Sequence, residues 1–222
     1  MAVLVRVWDA PTRLFHWALS LCVVGLFVTS QVGGTAMDWH FRFGYGVLTL
    51  LLFRFVWGLS GGHWSRFSTF VVPPLLIWRY LQGQANPQDC VGHNPLGALS
   101  VVTMLALLSL QVASGLISDD EIAAAGPLVR FVSSTWVGNA TFYHKEIGKF
   151  ILLGLVALHL GAIAFYYFRK HDDLVTPMIT GDKSVPIQAP SARDGRPERR
   201  RAGLIFLACA ALVSSLVIGL NG

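Results

Sequence analysis

Five apolar runs of about 20 residues divide the chain, at residues 14–32, 41–59, 96–117, 142–168 and 202–220. A bilayer core about 30 Å thick needs a helix of about that length, so each run predicts a transmembrane helix. Two of the runs carry charge. Arg54 interrupts the second, and Lys145, Glu146 and Lys149 open the fourth, so these helices turn a face toward protein or a cofactor rather than lipid. The first run is long for an export signal and carries a histidine one turn in, so it reads as a span rather than a leader. Between the second and third runs, Pro73 and Pro74 precede Leu75, Leu76, Ile77, Trp78, Tyr80 and Leu81, which predicts a short interfacial helix over about 73–82. No repeat of 20 to 50 residues is visible. The expected fold is an all-α integral membrane protein: a four-helix transmembrane bundle within residues 1–183, a basic cytoplasmic linker over 184–201, and a fifth C-terminal transmembrane helix over 202–220.

Composition agrees. Of 222 residues, 54% are hydrophobic and 13% charged, about half the charge density of a soluble domain, so no large water-facing catalytic domain fits. Cys22 and Cys209 sit in apolar runs and Cys90 is isolated. Nothing forms a CxxCH or CxxC motif, and covalent haem, iron–sulfur and zinc-ribbon readings lose support. The net charge of +5 reports orientation. With the N-terminus in the cytoplasm, twelve basic residues fall inside (Arg6, Arg13, Arg66, Arg79, Arg169, Lys170, Lys183, Arg193, Arg196, Arg199, Arg200, Arg201) and four outside (Arg42, Arg130, Lys145, Lys149). This bias places the N-terminus and the 171–201 segment in the cytoplasm and the C-terminus outside. The basic run at 198–201 then anchors the chain against anionic lipid, and nucleic acid is not an expected partner.

An ionisable side chain within a span is costly and marks function. Four of the seven histidines qualify. His16 and His159 lie toward the cytoplasmic ends of their spans, and His40 and His144 toward the outer ends. His144 and His159 are 15 residues apart, about 22 Å of rise and about 60° of rotation, so they share a helix face. Two histidine pairs at two depths describe two non-covalent bis-histidine haem b sites, His16 with His159 and His40 with His144. Gly44 follows His40 by four residues, as Gly148 follows His144, leaving room for a porphyrin one turn below each ligand. Arg54, 14 residues after His40 and about 21 Å deeper, points inward and requires an anion. A haem propionate would serve, with Arg13 as a second candidate. His93, beside Asn94 and Pro95, suits a helix cap or a contact to a propionate or quinone headgroup. His63 and His171 read as solvated. A zinc site lacks a nearby carboxylate or thiolate; a histidine proton relay is the stronger rival.

The segments WDAPTRLFHW (8–17), HFRFGYGVLTLLLFRFVWG (40–58), GHNPLGAL (92–99), HKEIGKFILLGLVALH (144–159) and LVTPMITGDK (174–183) resemble the bacterial cytochrome b561 and nickel–iron hydrogenase b-type cytochrome family. The resemblance covers residues 5–183. It implies a di-haem protein of the bacterial inner membrane with ligands at His16, His40, His144 and His159, electron exchange with the quinone pool, and a periplasmic or membrane redox partner such as a c-type cytochrome, hydrogenase or dehydrogenase. Two departures stand out: a fifth span, and a ligand spacing of 15 on the fourth helix where the family implies 14. The fifth span has no ionisable residue after Arg201, but Ala208, Ala211 and Ser215 form a small-residue stripe suited to helix packing.

The expected function is a transmembrane electron conduit, with the outer loop at 118–141 as docking surface. A stand-alone quinone oxidoreductase acting on a small anionic reductant such as superoxide, drawn by Arg42, Lys145 and Lys149, is the alternative. A haem-free proton-coupled transporter or a membrane anchor is the third reading.

Overall fold

The computed structural model describes residues 3–84, 86–122 and 124–221. In chain order it contains β1 (Val3–Arg6), α1 (Ala10–Val32), α2 (Met37–Ser60), α3 (Phe67–Phe70), α4 (Pro74–Leu81), α5 (Pro95–Leu116), α6 (Ser134–Phe142), α7 (Lys149–Phe165), α8 (Val175–Thr180), β2 (Asp182–Val185) and α9 (Arg196–Asn221). Five helical stretches are long and apolar enough to cross a membrane: Ala10–Val32, Gly34–Ser60, Gln88–Leu116, Ser134–Lys170 and Arg196–Leu220.

All of these stretches begin before their apolar runs, and capping chemistry sets the starts of α1 and α5. Asp9 accepts the Thr12 amide at 2.9 Å and Pro11 follows the cap. Asn94 accepts the Gly97 amide at 2.8 Å with Pro95 in the first helical position. A side-chain oxygen on the third free amide and a proline that needs no partner make a defined helix start. Gly33 and Gly34, at φ of 64° and 55°, turn the chain from α1 to α2 in a conformation open mainly to glycine. α4 matches the expected interfacial helix within a residue at each end. The fourth span is longer than its apolar run: α6 starts at Ser134, inside the segment expected to be an outer loop, where Ala123 lies outside the described residues. A π-helical turn over Tyr143–Gly148 joins α6 to α7, and a second follows over Tyr166–Lys170.

The chain divides into two compact units, each built from parts of the same long helices. One takes Met1–Trp17, Phe53–Thr103 and Leu158–Ile205. Its core is Val5, Val7, Trp8, Val91 and Val185, covered by Trp64, Met178, Ile187 and Ala189. β1 pairs antiparallel with β2, Val3 opposite Val185 and Arg6 opposite Asp182. No strand is legible in the hydrophobic pattern, because each has only four residues and their pairing spans nearly the whole chain. Gly181 closes α8 at φ 95°, and its carbonyl accepts the Val7 and Trp8 amides at 2.8 and 3.0 Å.

The segment expected to be a linker is instead tied down within this unit. Arg6 donates to both carboxylate oxygens of Asp182, at 2.6 and 2.9 Å, and to Asp194 at 2.8 Å. Asp194 also accepts the Ala10 amide at 3.0 Å and Arg199 twice at 3.1 Å. Ala192 donates to the Arg6 carbonyl at 2.7 Å, and Trp64 Nε1 to the Pro190 carbonyl at 2.7 Å. Burial alone would raise the Asp194 carboxyl, but hydrogen bonds from Arg199, the Ala10 amide and Arg6 outweigh it and hold it below the usual carboxylate range.

The other unit takes Ala18–Leu52, Met104–Ala157 and Phe206–Gly222. Val47, Leu50, Leu51, Leu105, Leu108, Ala140 and Leu152 are buried in it. From α9 it buries Cys209 and Val213. The stripe of Ala208, Ala211 and Ser215 is exposed, so within this chain the fifth helix does not pack through the small residues expected to serve.

Candidate functional site

Each unit brings one expected histidine pair together. In the second unit His40 and His144 face each other with ring centroids 6.3 Å apart and planes at 83°. In the first, His16 and His159 stand at 6.4 Å and 53°. With a metal–imidazole bond of about 2.0 Å and about 1.2 Å from ring nitrogen to ring centre, two rings trans across one metal lie about 6.4 Å apart. Both pairs have that separation. Among the described residues no group of three His, Cys, Asp or Glu side chains gathers for a metal. Each pair therefore offers two imidazoles and, among the described residues, no further group of metal ligands, a donor set that would suit a metal carried inside its own macrocycle.

The His40–His144 pair lines a cavity of about 440 Å³, within the range of cofactor sites. Both rings are anchored through Nδ1. His40 Nδ1 donates to the Leu26 carbonyl at 3.2 Å, and His144 Nδ1 to the Gln111 carbonyl at 2.9 Å. A carbonyl only accepts, so Nδ1 carries the proton in each ring and Nε2 keeps its lone pair. Three residues beyond each carbonyl stands a hydroxyl, Thr29 or Ser114, which donates to that carbonyl and lies 3.3 Å from the imidazole. The two ligands are thus held alike, one against α1 and one against α5.

The glycines divide. Gly44 lines the cavity, and a Cβ there would meet nothing within 4 Å, so it borders open space. Gly148 does not line it. A Cβ at Gly148 would overlap the Gln111 amide oxygen, so this glycine admits Gln111 rather than a porphyrin. Gly115, not singled out from the sequence, lies 2.7 Å from the His144 ring measured from its absent Cβ and makes room for the ligand itself. His144 sits inside the π-helical turn Tyr143–Gly148. A π turn holds one residue more than an α turn and recurs at functional sites. The spacing of 15 where the family implies 14 contains this turn.

Lys145, Glu146 and Lys149 line the same cavity with Asp120. Arg42 does not; its guanidinium lies over the Trp39 ring at 4.8 Å.

The arginines expected to meet a propionate have protein partners. Arg54 is 3% exposed, donates to the Ser65 carbonyl at 3.0 Å and lies over Phe67 at 4.8 Å. Asp9 is fully buried and accepts from the Thr12 amide, Trp57 Nε1 at 3.2 Å, the Gly62 amide at 3.2 Å and Ser65 Oγ at 2.9 Å. The missed signal was Asp9 itself, a carboxylate one residue before a span. Arg13 donates to the Ile179 carbonyl and stands 3.7 Å from Asp194. Next to His16, Trp17 donates to the Met178 carbonyl at 3.1 Å. His93 is sandwiched between Trp8 and Phe70, each 4.6 Å away between centroids, while Asn94 performs the capping.

Residues 7–181 match the family model described as prokaryotic cytochrome b561. The chain is 29% identical over 216 residues to a probable Ni/Fe-hydrogenase B-type cytochrome subunit of Azotobacter chroococcum, covering 80% of this chain and 87% of that one. It is 25% identical over 215 residues to a probable Ni/Fe-hydrogenase 1 B-type cytochrome subunit of Escherichia coli K12, covering 80% and 90%. No solved structure gives a significant match.

Proposed function

The chain belongs to the prokaryotic cytochrome b561 family and is a multi-pass membrane protein, and on that premise we propose that it is a di-haem electron carrier between the quinone pool and a redox partner. The observation that carries this reading is the pair of opposed imidazoles, repeated at 6.3 and 6.4 Å. His40 and His144 would hold one haem b, and His16 and His159 the other. When bound, haem supplies a one-electron couple; everything else is the work of the chain. The Leu26 and Gln111 carbonyls keep the ligand nitrogens unprotonated and aimed. Gly44 lines the cavity and borders open space. Lys145 and Lys149, on the cavity lining beside Glu146 and Asp120, would meet propionates at the His40–His144 site, and Arg13, whose buried Nε has no hydrogen-bond partner among the described residues, would do so near His16.

The relatives' names point to a hydrogenase as partner. The bias of basic residues supports an inner-membrane location with the N-terminus in the cytoplasm and the C-terminus outside. In proteoliposomes, a short-chain quinol should reduce the haem of the wild-type chain. Haem that stays oxidised under quinol but reduces with dithionite would remove the quinone pool from the account. In a second reading the isolated chain oxidises a small anion such as superoxide with quinone as acceptor; Lys145 and Lys149 on the cavity lining support it, and Glu146 and Asp120 on the same lining oppose it. Quinone reduction by superoxide with the purified chain alone would establish it.

A further inference from the structure

His144 is gripped at two places by one residue. The Gln111 carbonyl accepts the His144 ring proton at 2.9 Å, and the Gln111 amide nitrogen donates to the His144 backbone carbonyl at 3.0 Å. The second bond lands inside the π-helical turn Tyr143–Gly148, where the regular ladder of helical hydrogen bonds is broken. A side chain inserted against the ladder is one of the few causes of such a break. The room for that side chain is made by Gly148, whose Cβ would overlap the Gln111 oxygen. That oxygen is buried and without a hydrogen-bond partner among the described residues, a cost retained although an aliphatic side chain would avoid it. His40 has a ring anchor of the same kind, but its carbonyl belongs to Leu26, whose side chain has no donor to offer a backbone.

We infer that Gln111 is the positioning residue of the His40–His144 site: its amide wedges the π turn and its carbonyl fixes the ring, so that together they set the rotation of the His144 imidazole. The inference rests on the haem reading above. The rotation matters because the two rings stand 83° apart, and the angle between axial imidazole planes, with the strength of the bond at Nδ1, is a lever on the electronic state and potential of a bound iron. The His16–His159 rings, at 53°, serve as an internal reference.

The test uses the full-length chain in detergent or nanodiscs and reads haem per chain, the low-spin ferric EPR spectrum and a redox titration. Gln111→Leu removes the amide at similar volume. Gly148→Ala displaces it by steric overlap without removing it; the added methyl overlaps the Gln111 oxygen most closely and comes within 2.8 Å of the Tyr143 ring. In the wild type, the His40–His144 haem should give a strongly anisotropic low-spin signal, as near-perpendicular ligand planes do. Both single variants should shift that signal and raise the potential of that haem, leaving the other haem unchanged. Loss of the His40–His144 haem alone in the variants also supports the inference. Unchanged spectra and potentials at full haem content, or effects on both haems alike, overturn it. A wild-type chain that binds no haem instead overturns the reading beneath it.

Discussion

The two histidine pairs have nearly the same separation, 6.3 and 6.4 Å, yet the chain positions them by different means. His40 and His144 are held by the helices beside them. Each Nδ1 sits on a neighbouring helix carbonyl, a hydroxyl stands beside it, and Gln111 fastens one ligand's backbone. The surroundings of His16 are fixed from outside the span. Asp9 caps α1 and gathers Trp57, Gly62 and Ser65 around it, while Arg13 and Trp17 hang on carbonyls of α8. A strand pair and the Asp194 cluster then tie the end of that region together. One pair depends on carbonyls of neighbouring spans; the other depends on segments outside the spans. Substitutions should therefore separate the two.

The largest separation is in the ligands. His144→Ala or His40→Ala should remove one haem per chain and leave the other, and His16→Ala or His159→Ala the reverse, read as haem content and as loss of one of two steps in a redox titration. A single deletion that empties both sites would break the comparison. Next comes Asp9→Ala. It takes the charged acceptor from four buried donors, the Thr12 and Gly62 amides, Trp57 Nε1 and Ser65 Oγ, a change of about 3 kcal/mol or more at roughly 1–3 kcal/mol for each stranded donor. Thermal melts monitored at the haem bands should show the His16–His159 haem released at lower temperature, with the His40–His144 haem least affected.

Asp194→Ala should cost less, about 1–3 kcal/mol for charge-assisted hydrogen bonds in a partly buried cluster. It should open residues 186–195 to limited proteolysis. The same opening should follow acidification. The Asp194 carboxyl lies below its ordinary value in the folded chain, so its contribution is present above the ordinary carboxylate pKa of about 3.9 and is lost as pH falls through the lower folded value. Cleavage rates in that segment should be flat near neutrality and rise only in acid. A rise on the alkaline side would contradict the assignment. The smallest effect is expected from Ser114→Ala and Thr29→Val, below about 1 kcal/mol, because the Gln111 and Leu26 carbonyls remain to accept Nδ1. Their measure is a haem retention indistinguishable from wild type on dilution.

The spans and the histidine pairs were legible in the sequence because both follow from one-dimensional rules, apolar run length and helical phase. Gly44 was legible for the same reason. Gly148 was not. The HxxxG spacing is identical in both places, but the group that fills the second gap is Gln111, 37 residues earlier in the chain. Arg54 was recognised as a buried charge, but its contacts with the Ser65 carbonyl and the Phe67 ring come from the loop after α2, which no periodicity reveals. The β1–β2 pair and the Asp194 cluster join the N-terminal residues to others more than 170 positions away, in segments too short or too polar for periodicity to reveal. The spacing of 15 between His144 and His159 was visible in the sequence, while the π turn at His144 required the backbone.

The central claim is that one chain holds two haems, each between one of these pairs. It is tested most directly by the ratio of haem b to protein in the purified wild-type chain, from a pyridine haemochrome spectrum and amino-acid analysis. The account predicts about two non-covalent haem b per chain, and a ratio of one or none would contradict it.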